Sequence, residues 1–294
     1  MKAFSKKWIA VAAGLALSSV SALASHVPAL AFNAEPFNVN PLALNTVPGA
    51  TAPETTPAFV AGSITFDYRG LVNQAAGGGS PATSTFDEKG SIQFGAFYTG
   101  VGGTPLGALD TGLNLTKSSP VGYSLYGQFT GTGTSKATTT GGVDGLFSTF
   151  DVQLFVDRDN NTTFAAPKSF LPTTPGGVTT DDVLVLTGSL LVGGFHVFGG
   201  LANGDFDVQF NVTGFGPTSF FSTTVDGQRL TQGDLNGVNS FVSSNVALPP
   251  AAFTNAEIDG SGNVTFQSIP EPTSLALVGI ALIGGALARR KAQA

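Results

Sequence analysis

The residues able to do chemistry are few. The chain has no cysteine, so disulfides, thiolate nucleophiles and cysteine-ligated metals are all absent. Of its two histidines, His26 lies near the N-terminus. His196 falls in Phe195-His196-Val197-Phe198, an alternation that puts it on a strand packed at a sheet face. A single body histidine cannot build a zinc site of nitrogen and sulfur ligands. No G-x-S-x-G presents a serine for a Ser-His-Asp relay, and no glycine-rich phosphate loop opens a helix. Carboxylates pair at Asp181-Asp182 and Asp205/Asp207, but glycoside hydrolysis needs two carboxyls at a set separation across a cleft, and nothing singles out such a pair. The chain reads as a protein without enzymatic activity. One local pattern has a defined chemistry, Asp157-Arg158-Asp159-Asn160-Asn161-Thr162-Thr163-Phe164. Asp157, Asp159 and Asn161 have the alternate spacing that brings oxygens round Ca²⁺. An EF-hand needs Gly at the sixth place and Glu at the twelfth, where this chain has Thr162 and Lys168. Two readings stay open. One is a looser structural Ca²⁺ site of Kd roughly 10⁻⁴ to 10⁻³ M, helped by the Thr163 carbonyl. The other is an Asp/Asn turn whose side chains cap their own backbone. No other cofactor is expected.

The elements that would position these residues are strands. Ile64, Phe66 and Tyr68 alternate with Thr65, Asp67 and Arg69, the period of a half-buried strand. Similar patterns run over 91–98, 123–131, 150–156, 195–198 and 206–212, with a last short strand at 264–269. Val183 to Val192 is almost wholly apolar, as a strand buried on both faces would be. Gly77-Gly78-Gly79-Ser80-Pro81 and the Gly/Thr-rich stretch 131–142 read as loops. No helical period occurs between Ser63 and Ile269. The expected fold class is all-β: a β-sandwich or jelly-roll-like body over residues 63–268, of about ten to twelve strands, flanked by an N-terminal signal helix and a C-terminal single short transmembrane helix. The competing architecture, a transmembrane β-barrel, requires regular spans with an apolar outer band. The spans here are shorter and irregular.

Residues 32–62 carry five prolines and little periodicity. They read as an extended Pro-rich leader, either wrapping the body or linking to it. Charged residues are 11% of the chain, so Thr, Ser, Asn, Gln and Gly must cover most of the surface. Six of the thirteen basic residues lie in the end segments. The rest of the chain is left with seven against eighteen acids, a charge near −11. Nucleic acid and anionic lipid need a positive surface and are excluded as partners.

The two ends carry addresses. Lys2, Lys6 and Lys7 precede an apolar stretch from Trp8 to Leu17, followed by small residues. This is the form of a secretory signal peptide, with A-x-A cleavage sites at Ala22 and Ala24 (segment 1–24) or, alternatively, at Ala29 and Ala31. Export machinery and signal peptidase are the implied partners. At the other end, 269–294, Pro270-Glu271-Pro272 precedes an uncharged run from Ser274 to Ala288 and then Arg289-Arg290-Lys291. The prolines keep the tripeptide extended and outside any helix interior. The run is shorter than the roughly 20 residues of a relaxed membrane span, and the cationic cluster favours the cytoplasmic side. PEP, a short apolar helix and a basic end resemble the PEP-CTERM sorting signal of Gram-negative bacteria. That resemblance implies export, a transient inner-membrane hold, handling by an exosortase, and an association with exopolysaccharide.

The body resembles the flocculation-associated branch of those proteins. The similarity lies in Gly122-Tyr123-Ser124-Leu125-Tyr126 with Phe129, Phe155-Val156-Asp157 running to Thr163-Phe164, Asp181-Asp182 to Thr187-Gly188, and Gly204-Asp205-Phe206-Asp207. It implies a secreted matrix protein that helps cells aggregate in flocs or biofilm, with no catalytic residues to carry over. A carbohydrate-binding module, or an exported hydrolase, is the alternative.

Overall fold

The computed structural model describes residues 32–47, 53–80, 82–114, 122–162, 182–198, 203–241 and 248–268. The chain is all-β there, as expected, but its main sheet is a closed barrel rather than a sandwich or jelly roll. Eight antiparallel strands form it: β3 (Ser63–Gln74), β4 (Thr83–Tyr98), β5 (Ser124–Ala137), β6 (Val143–Asp157), β7 (Val183–Val197), β8 (Asn203–Phe215), β10 (Gln232–Phe241) and β11 (Phe253–Gln267). Each pairs with its neighbour in chain order, and β11 returns to β3 to close the ring. Closure removes the free edges on which sheets aggregate.

The strands are longer than the sequence pattern suggests. β4 has 16 residues, a length of about 50 Å at 3.3 Å per residue. The stretch 131–137, expected as loop, belongs to β5. Its glycines face inward, where Gly131 stands opposite Phe150 and Gly133 opposite Phe86. The same pairing recurs round the barrel: Gly262 with Phe66, Gly260 with Tyr68, Gly90 with Phe129, Gly145 with Phe195, Gly237 with Phe206 and Gly233 with Phe210. A ring fills the space that the missing side chain leaves, as a narrow barrel requires. The fit is close. A Cβ on Gly145 would lie 2.2 Å from the Phe195 ring, and one on Gly260 would lie 2.0 Å from the Tyr68 ring.

Polarity alternates the other way from a membrane-spanning barrel. Outward positions carry Thr83, Thr85, Asp87, Lys89 and Gln93 on β4, Thr130, Thr132, Thr134 and Lys136 on β5, and Asp151 and Gln153 on β6, and all of these are exposed. Most of the barrel's phenylalanines point inward. An outer-membrane barrel has its apolar side chains outside, so that competing architecture does not hold.

The leader is part of the body. β1 (Phe37–Val39), a 3-10 turn (Pro41–Thr46) and β2 (Phe59–Ala61) lie within it, and β1 pairs on its far side with β9 (Phe221–Thr224). Phe37, Val39, Phe220 and Phe221 are fully buried. Phe37 meets Phe266 of β11 edge-on at 5.0 Å, and Phe220 meets Tyr123 at 5.3 Å. This small sheet therefore plugs the barrel end where β3 and β5 begin and β11 finishes. Gly79, at φ +97, turns the chain between β3 and β4, in the Gly-rich loop expected there.

Candidate functional site

The turn after β6 holds the residues with calcium-like spacing. Asp157 is fully buried. Its Oδ1 accepts the Asp159 N–H at 3.0 Å, and its Oδ2 accepts the Thr162 N–H at 2.8 Å and the Ser124 hydroxyl at 3.3 Å. Asn160 takes a left-handed φ of +52, which Asn tolerates in turns. Asp157 thus caps its own turn, the second of the two readings of this stretch, while Asp159 and Asn161 follow it on the turn. Among the described residues no group of three or more His, Asp or Glu could hold a metal ion. Asp182 at the start of β7 completes the corner. It accepts from the Tyr126 hydroxyl at 2.7 Å and from the Thr162 hydroxyl at 3.1 Å, and the Tyr126 ring stacks on Phe155 at 5.2 Å. Stretches far apart in sequence are tied together here.

The other sequence candidates separate. His196 is buried on β7, its Nδ1 2.5 Å from Asp144 Oδ1 of β6. Asp205 and Asp207 share the outer side of β8, but the close partner of Asp207 is Asp234 on β10, a strand that the sequence pattern did not reveal. Burial first, and the Asp207 charge second, push Asp234 from 3.8 up to about 7, against the Asn236 amide that donates to it at 2.9 Å. Asp207 is raised too, by burial above all. The two carboxyls cannot both ionise freely and share a proton near neutral pH. On the outer wall, Asp67, Arg69, Ser91, Gln93 and Asp259 line a polar depression of about 240 Å³, with Arg69 Nε 3.5 Å from Asp259 Oδ1. Ala22, Ala24, Ala29 and Ala31, and Pro270, Glu271, Pro272, Arg289, Arg290 and Lys291, lie outside the described residues. No helix among the described residues is long and apolar enough to cross a membrane.

Inside the barrel, in the half away from the plug, is a cavity of about 60 Å³. Seven phenylalanines line it, among them Phe86, Phe129, Phe150 and Phe195, together with Tyr68, Glu88 and Asn239. Glu88 is the one acid in this wall. It holds the inward position of β4 between Phe86 and Gly90, and it is 8% exposed. Burial pushes its carboxyl from 4.5 up to about 7. Tyr68 is raised well above 10, by burial first and then by the Glu88 charge, against a hydrogen bond from Asn239. Three polar groups thus meet at the Tyr68 phenol within a wall of rings. Sequence reasoning passed over Glu88. The signal for it was present, because Ser84, Phe86 and Glu88 alternate with Thr85, Asp87 and Lys89 and so share the inner face.

Residues 268–291 match the family model described as the PEP-CTERM protein-sorting motif. No curated protein and no solved structure matches the chain. The motif begins where β11 ends, directly after the last barrel strand. The tail supplies what the barrel does not: residues 268–291 are a PEP-CTERM sorting motif, which indicates export and targeting to an exosortase.

Proposed function

We propose that the barrel is a non-enzymatic matrix protein that contributes to exopolysaccharide-associated cell aggregation, as the flocculation-associated PEP-CTERM proteins do. In this reading the signal peptide is removed, and the apolar tail holds the chain briefly in the inner membrane. Exosortase handling then leaves the barrel at the cell surface or outside. The observation that carries the proposal is the outer wall. Of the outward positions named above on β4, β5 and β6, seven carry hydroxyls or amides and four carry charges of both signs. Such a wall exchanges hydrogen bonds with hydrated polysaccharide at little desolvation cost. Closure of the main sheet suits a protein that works at high local concentration, since the barrel itself offers no strand edge to its neighbours. The convergence of Tyr126, Phe155, Asp157, Thr162 and Asp182 at one corner supports the resemblance to the flocculation branch, whose short matching stretches hold most of these residues.

Deleting the gene and measuring floc and biofilm formation tests the proposal. Aggregation should fall, and it should return with the full chain but not with one whose Pro270-Glu271-Pro272 is replaced by alanines. Unchanged aggregation in the deletion strain removes the claim. A carbohydrate-binding module is favoured by one observation, the polar depression of Asp67, Arg69, Ser91, Gln93 and Asp259. Binding on a glycan array that is lost in Arg69→Ala would decide for it.

A further inference from the structure

We propose that the barrel interior is a binding site for a small organic amine, its body among the phenylalanine rings and its amino group on Glu88 and Asn239. The argument is geometric. Eight-stranded barrels are just wide enough either to be filled by side chains or to hold one small molecule. This barrel is filled by the plug at one end and retains a cavity of about 60 Å³ in the other half. Space of that measure takes roughly four to six waters, hence a ligand of about four to six heavy atoms. The wall is aromatic, which suits an alkyl body and attracts a cation to the ring faces.

The polar groups choose among apolar ligands. Glu88 is over nine-tenths buried and is the one acid in the cavity wall. Asn239 is 6% exposed, and its Oδ1 is buried with no hydrogen-bond partner. Both residues line the cavity. A buried acceptor without a donor costs free energy, and a charged one costs more. A ligand N–H group, above all an ammonium, satisfies both at once. A carboxylate ligand would set like charge against Glu88, and an alcohol brings only one donor. Arg69 and Lys89 neighbour this region in sequence, but they occupy alternate positions of β3 and β4 whose side chains face outward. When Glu88 is ionised, a cation to match it comes from a ligand rather than from Arg69 or Lys89. This site is independent of whether the protein promotes aggregation.

The test is a titration of the purified full chain at pH 8 with n-butylamine, 1-butanol and butyrate, read by saturation-transfer NMR and by the shift in melting temperature. The amine should bind at least tenfold more tightly than the alcohol, and butyrate should not bind. Glu88→Gln should weaken the amine tenfold or more while leaving the alcohol unchanged, which also verifies that the cavity is intact. If that variant does not fold, Asn239→Ala should weaken the amine severalfold. Equal binding of amine and alcohol, undiminished amine binding in Glu88→Gln, or butyrate binding as tightly as the amine would each overturn the proposal.

Discussion

The buried Glu88 should make the protein less stable as pH rises, and Glu88→Gln should abolish that dependence. The carboxyl titrates near 4.5 when unfolded and near 7 in the barrel. Between those values the native state holds a proton that the unfolded state has lost. Stability is therefore highest at and below about pH 4.5, falls through the window, and levels off above about pH 7. At 1.36 kcal/mol per unit, the separation corresponds to about 3 kcal/mol. The Gln side chain has nearly the same shape and no charge to bury. The difference in unfolding free energy, variant minus wild type, should thus grow by about 3 kcal/mol from pH 4.5 to pH 8. For a body of this size that is a relative gain of roughly 6–12 °C in Tm. Urea unfolding at the two pH values measures it. Asp207 and Asp234, both raised as well, contribute the same trend to both proteins and cancel in the difference. Tyr68, pushed further up, stays neutral throughout. A difference that does not change with pH would mean that Glu88 titrates like an exposed acid. A variant that loses stability at pH 8 would mean that the charged form has a partner in the native state. Either result refutes the reasoning.

Gly145→Ala drives a methyl into the Phe195 ring, 2.2 Å away, and should cost about 1–3 kcal/mol in denaturant unfolding. Gly100→Ala, with open space around it, should stay within about 0.5 kcal/mol. Asp157→Ala removes the acceptor for two backbone N–H groups and one hydroxyl, a loss of about 1–3 kcal/mol. About 10 mM CaCl₂ should leave the wild-type melting curve unmoved, whereas a site of Kd roughly 10⁻³ M would add about 1.4 kcal/mol. Asp234→Asn separates a proton-sharing pair, so it should stabilise the protein at pH 8 and have little effect at pH 4, as read from the same urea series. Replacing Pro270, Glu271 and Pro272 by alanine should trap the product in the membrane fraction of fractionated cells; equal surface display would count against the role of the motif.

Much of the fold was legible where side chains alternate. Ile64 to Arg69 and Phe206 to Asn211 announce their strands, because polar and apolar residues exchange places at every step. The closed barrel was not legible, and the reason is physical. In β5, β10 and β11 the inward position is repeatedly glycine, as at Gly131, Gly133, Gly233, Gly237, Gly260 and Gly262. The apolar half of the alternation sits on the neighbouring strand as a Phe or Tyr. One-strand periodicity then disappears, and Thr-Gly-Thr-Gly looks like a loop. Without β10 and the first half of β11, the sheet could not be counted closed. The sorting tail was fully legible, because its signal is local and does not depend on the fold. The site was the least legible part: Asp157 lay in view, while the Asp207–Asp234 pair and the Glu88–Tyr68–Asn239 group each need strands brought together by closure.

What distinguishes Glu88 is the cost of keeping it. An exported chain without disulfides draws its stability from the packed interior, and here that interior is rings set against glycines. At pH 8, Gln at position 88 would serve such a core better by the few kcal/mol just derived, with no loss of strand register. A strand that otherwise alternates hydrophobic-in and polar-out breaks its rule once in the wall of the cavity, beside Asn239, whose Oδ1 is a buried acceptor without a donor. Departures of that kind concentrate at sites that bind or react. A residue that weakens the empty barrel and strengthens an occupied one is what a ligand-holding interior requires, because binding can return the free energy that burial of the carboxyl removes.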